Sequence, residues 1–165
     1  PRVVKLVIRD LRSPMTNLQP SESTDIIRVA AAAEFMPQEV LPQEFSDPSG
    51  SDESAAVESY VFRYKVTMTN VGHESASLLT RHWIIVDGEG KREEVRGRGV
   101  VGEYPSLAPG ESYSYISYCP LPTKWGTMEG SYTFAREDGS QIVAAIPRFF
   151  LVPTAPPLEL EQPSI

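Results

Sequence analysis

The sequence predicts an all-β fold, an antiparallel β-sandwich of two sheets. Three observations predict it. Short segments alternate apolar and polar side chains with a period of two. Turn signals rich in Gly, Pro, Asp and Ser separate these segments at near-regular intervals. No segment carries a convincing helical apolar spacing. The 165 residues, 41% of them hydrophobic, suit one domain with a substantial core.

Residues 1–24 read as a leader, in which "VVKLVI" is followed by the linker-like "SPMTNLQPSEST". "DIIRVAAAAEF" alternates through Ile27, Val29, Ala31, Ala33 and Phe35, a first strand despite alanines that also suit helix. Residues 37–58 are rich in Pro, Ser and acid and read as an exposed insert. In "YVFRYKVTMTNVG", Tyr60, Phe62, Tyr64, Val66 and Met68 share one face, and Arg63, Lys65, Thr67 and Thr69 share the other. "SLLTRHWIIVDGEGKREEV" gives two strands and a hairpin turn, with Trp83 as a core plug between the sheets. "ESYSYISY" follows the turn "APGE", and "GSYTFAREDGSQIVAAIPRFFLV" closes the sandwich as a hairpin over "EDGS". Residues 153–165 form a proline-rich tail. The sandwich domain therefore spans 25–152.

Net charge is −7, and its placement matters more than its size. Residues 29–62 hold Glu34, Glu39, Glu44, Asp47, Asp52, Glu53 and Glu58 without a Lys or Arg, whereas the body is balanced. No broad basic face for nucleic acid is visible. No apolar run approaches the length of about 18 residues that suggests a membrane helix. Cys119 is alone, which rules out an internal disulfide and fits a reducing compartment. The chain begins at Pro1 and lacks a secretory cleavage pattern, so the native start is expected upstream and the location intracellular, mitochondrial or cytoplasmic.

One motif invites a sharper reading. "GRGVVG" sets Gly97, Gly99 and Gly102 in the spacing of a pyrophosphate-cradling loop. Such a loop works when a strand delivers it and a helix follows, because the helix N-terminus faces the phosphates. Here Pro105, Pro109 and then strand periodicity follow, so no helix begins at Gly102. Two readings remain. In the favoured one, the glycines serve backbone geometry, as a bulge or close approach. In the other, Gly97, Gly99 and Gly102 form a small anion nest helped by Lys91, Arg92, Arg96 and Arg98, with Glu93 and Glu94 offsetting two of those charges.

Catalysis is not expected. The histidines are His73, in a turn, and His82, on a strand; a Cys119–His82 dyad lacks any nucleophile motif. No His/Cys spacing fits zinc, and the insert lacks a calcium-loop pattern, so neither metal nor cofactor is expected. Glu93 and Glu94 point to opposite faces of a strand. Glu129 reads as a loop residue joining two strands. Tyr104, Tyr113, Tyr115, Tyr118 and Tyr132 read as core and cross-strand packing.

The blocks "YVFRYKVTMTNVG", "LLTRHWIIVDGEGKREEVRGRGVVGEYPSLAPGESYSYIS", "GTMEGSY" and "AIPRFFLV", in that order, strongly resemble the ApaG domain. The likeness spans about 25–152 and is dense over 60–152. It implies an immunoglobulin/fibronectin type III-like sandwich, and it carries the family's glycine signature onto Gly97, Gly99 and Gly102, where pyrophosphate binding has been proposed. Related domains stand alone in bacteria. In eukaryotes they are appended to F-box receptors and to a polymerase-interacting, partly mitochondrial protein, where they are thought to mediate protein contacts. The leader, insert and tail suggest a eukaryotic or organellar member. Two functions follow as expectations. One is a protein-interaction module in a multi-subunit complex such as a mitochondrial ribonucleoprotein, with RNA nearby and no membrane insertion. The other is a domain that binds a small phosphate, pyrophosphate or nucleotide.

Overall fold

A computed structural model describes residues 26–37 and 59–153. The leader, nearly all of the acidic insert and nearly all of the tail lie outside the described residues. Eight strands follow in order: β1 (Ile27–Met36), β2 (Tyr60–Asn70), β3 (Ala76–Asp87), β4 (Arg92–Arg98), β5 (Ser106–Leu107), β6 (Ser112–Leu121), β7 (Gly126–Arg136) and β8 (Gln141–Leu151). They form two sheets, ordered β1-β2-β6 and β4-β3-β7-β8, with β5 paired to the start of β3. Every strand pairing among the described residues is antiparallel. No helix among them is long and apolar enough to cross a membrane.

Period two explains the layering. In β2, Phe62, Tyr64, Val66 and Met68 are buried, and Arg63, Lys65, Thr67 and Thr69 are not. In β3, Trp83 and Ile85 turn inward. Trp83 meets Tyr64 of the opposite sheet edge-on at 5.5 Å, and it meets Tyr132 and Phe149 of its own sheet at 6.1 and 6.0 Å. It is the plug between the sheets that the sequence suggests. Tyr115 and Tyr132 join hydroxyls across the gap, which satisfies two polar groups buried in the same layer. One side of the sandwich brings β1 against β8. The other side leaves β6 and β4 as facing edges.

Three details correct the sequence reading. Strand β7 begins at Gly126 rather than Gly130, so Glu129 lies within a strand and not in a loop. Gly130 does not end the strand. A Cβ there would sit 1.9 Å from the carbonyl oxygen of His82, so glycine permits close pairing with β3. Tyr104 is 57% exposed and does not join the core, whereas Tyr115, Tyr118 and Tyr132 are buried. Finally, β4 runs through Gly97 to Arg98, beyond the expected "KREEV".

Candidate functional site

The glycine motif sits where one edge strand stops and another starts. Both β4 and β5 pair with the same side of β3, and the segment between them leaves the sheet opposite a bulge at Leu79. The Gly99 amide donates to the Leu79 carbonyl at 2.9 Å. Val100 and Glu103 then exchange two backbone hydrogen bonds, at 2.9 and 2.8 Å, around the two-residue turn Val101-Gly102. Both turn residues have positive φ, 45° and 80°, the condition for a type I′ turn. Val100 is fully buried and anchors the turn in the core.

Each glycine has a separate geometric reason. At Gly97 a Cβ would lie 2.8 Å from an Arg81 guanidinium nitrogen. Gly99 has φ 58°, and a Cβ would lie 2.5 Å from the Glu103 carbonyl oxygen. Gly102 has φ 80° and open space around it. Arg81, which sequence reasoning passed over, organises the loop. Its Nη1 donates to the carbonyls of Arg98 and Gly99, both at 2.8 Å. The signal was present: Arg81 shares the inward face of β3 with Trp83 and Ile85, an unusual place for a charge.

The cations expected at the motif divide by strand alternation. Arg92, Arg96 and Arg98 stand with Glu94 on the outer face of β4, while Glu93, Val95 and Gly97 face inward. Lys91 is exposed in the adjoining turn, where its amide donates to Asp87. Glu94 is shared: it lies 2.8 Å from His82 Nε2, 2.8 Å from Arg92 and 3.2 Å from Arg96. The His82 hydrogen bond, aided by the two guanidiniums, holds its carboxyl below the usual range. The amides of Gly99, Val100 and Glu103 are already committed within the backbone.

The remaining candidates separate. His82 faces outward beside Glu94, and Cys119 is buried on the inner face of β6, so no dyad forms. Burial pushes the Cys119 thiol up to about 12, and Glu93 adds to the rise. Glu129 is gripped by Arg148 at 2.8 and 3.2 Å and is held below its usual pKa by that bond. No group of three or more His, Cys, Asp or Glu suited to a metal occurs among the described residues. Between β4 and β6 a partly open cleft is lined by Val95, Val101, Tyr115, Tyr118, Cys119 and Arg81. Its free volume of about 20 Å³ suits one water molecule.

A family model described as the ApaG domain matches residues 50–136. The protein ApaG of Methylobacterium sp. (strain 4-46) is 54% identical over 112 residues, covering 68% of this chain and 83% of the relative. The protein ApaG of Aromatoleum aromaticum is 50% identical over 125 residues, covering 76% and 88%. A crystal structure of a protein named ApaA, from Bordetella pertussis, superposes with a TM-score of 0.64 at 40% identity, covering 82% of this chain and 98% of that one. An X-ray structure of a structural-genomics target reaches 0.66 at 37% identity, covering 78% and 88%.

Proposed function

Because the chain belongs to the ApaG domain family, we propose that it acts as a non-catalytic protein-interaction module, a subunit of a larger assembly. One observation carries this reading. The charged groups at the glycine motif, Arg92, Glu94, Arg96 and Arg98, stand on an open sheet face, while the cleft beside them has room for a single water molecule. Small-molecule sites are concave and bury most of their ligand, whereas flat faces rimmed by charge and scattered aromatics suit proteins. Phe150 and Val143 extend that face on β8, at 60% and 70% exposure. Cross-linking of the full chain in extract of its source cell tests the reading. Cross-links to one stoichiometric protein, from residues on the outer face of β4, β3, β7 and β8, are expected. A chain that migrates alone at native concentration would count against it.

A finer placement, in a mitochondrial ribonucleoprotein with RNA alongside, rests on the extensions at 1–24, 37–58 and 153–165. The relatives reported above are bacterial. Fractionation of the source cell decides it: co-sedimentation with a ribonucleoprotein that is lost on nuclease treatment is expected.

The phosphate reading has its own supporting observation, the column of Arg92, Arg96 and Arg98 with Lys91 beside it. Calorimetry with pyrophosphate separates the two. A dissociation constant tighter than about 1 mM that weakens in Arg96→Ala with Arg98→Ala would favour the phosphate site.

A further inference from the structure

We infer that β4 is a docking edge for an extended segment of a partner protein whose side chains alternate acidic and apolar. This rests on the interaction reading above and names its surface and partner chemistry.

Among the described residues, β4 pairs on one side only, with β3. Its other flank presents unmade backbone hydrogen bonds, a template for an added strand. The template has a defined length. Arg81 takes the Arg98 and Gly99 carbonyls, which closes one end and leaves residues 92–97 open. An added strand lies about 4.8 Å from β4, so its alternate side chains fall beside those of β4 on each face.

The two faces ask for different chemistry. Outside, Arg92, Arg96 and Arg98 outnumber Glu94, their only acid in the column. Arg92 and Arg96 are 56% and 71% exposed, and Arg98 makes no ion pair among the described residues. This surplus of positive charge stands on a chain of net charge −7. Carboxylates on a partner strand would sit directly opposite it. Inside, the same partner would start beside Glu93 and then lie across the mouth of the cleft between β4 and β6, beside Val95, Val101, Tyr115 and Tyr118. Apolar side chains suit that position.

The test is fluorescence anisotropy of the full chain with a labelled peptide of seven alternating Glu and Leu residues. Micromolar binding is expected, weakened at least about tenfold by Arg96→Glu with Arg98→Glu. N-methylation of alternate peptide amides keeps every side chain and is expected to abolish binding. Equal binding by the N-methylated peptide overturns strand addition. Equal binding by a peptide with Lys in place of Glu overturns the charge argument. Absence of peptide binding, with the chain's cross-linked partner retained, overturns the assignment to β4 and leaves the interaction reading standing. Residues 158–161 of this chain read Leu-Glu-Leu-Glu. A tenfold gain in peptide affinity in Glu159→Lys with Glu161→Lys would make that segment the occupant and overturn the assignment to a partner protein.

Discussion

Arg81 shows how a single side chain can fix a loop. A guanidinium that points toward apolar neighbours has to find acceptors, since burying its donors unmet is unfavourable. The carbonyls of Arg98 and Gly99 supply them. Arg81→Leu is expected to destabilise the fold by about 2–3 kcal/mol, read from the urea midpoint at constant slope, because two charge-assisted bonds go. Cys119 gives a second residue-scale outcome. With its thiol pushed up to about 12, iodoacetamide at mild alkaline pH should label it only in urea; rapid labelling of the native chain would contradict its burial. The carboxylates set the pH response. Glu94 and Glu129 are held below their ordinary value of 4.5, first by hydrogen bonds from His82 and Arg148. A depressed folded pKa contributes stability above the unfolded value and loses it as pH falls through the folded one. Stability should therefore fall on acidification below about pH 4.5, and Glu94→Gln with Glu129→Gln should flatten that fall. In the sequence the opposed faces of Glu93 and Glu94 were legible from alternation alone. Arg81 was equally legible by period, but its partners lie 17 and 18 residues away and no local pattern announces them.

At the scale of elements, strands were legible wherever the period-two rule had room to repeat. β2 and β6 follow it over eleven and ten residues, and β3 follows it on each side of its bulge at Leu79. β5, at two residues, is too short for any period to register and exists only because β3 offers it an edge. The start of β7 was hidden for another reason. Glycine in sequence suggests a loop, yet Gly130 serves close strand pairing. The three-glycine motif carries the same lesson, and a substitution series tests it. Gly102→Ala meets only the positive φ and should be mild, about 1 kcal/mol. Gly99→Ala meets positive φ and a backbone oxygen at 2.5 Å, so a loss of about 3 kcal/mol is expected. Gly130→Ala, with its backbone contact at 1.9 Å, should exceed both. Thermal melts of the three variants check the order. If Gly102→Ala proved the worst, the turn geometry assigned here would be wrong.

Across the whole molecule, two sheets need ties as well as a shared core, and Asn70 is such a tie. It is fully buried at the end of β2, in one sheet. Its Nδ2 donates to the carbonyl of Leu107 in β5, in the other sheet, and to that of Glu74, both at 2.8 Å. Its Oδ1 accepts from the Gly72 amide at 2.9 Å. Asn70→Asp keeps the shape and the acceptor but removes the donor, leaving two carbonyls facing a carboxylate. At about 1–3 kcal/mol for each unsatisfied buried group, a loss of about 3–5 kcal/mol is expected at neutral pH. That is a large fraction of an ordinary domain's stability, about 5–15 kcal/mol. The pH dependence identifies the cause. Burial and the nearby carbonyls raise the folded pKa of the introduced carboxyl, so the folded state binds the proton more tightly than the unfolded state. Relative to the parent chain, the variant should recover stability as pH falls through that raised pKa, because the protonated carboxyl again donates one bond. Urea midpoints of both proteins from neutral pH to about pH 4.5 read this difference directly. A deficit that stays constant across the range would mean that packing around Asn70, rather than its donated bonds, joins the sheets.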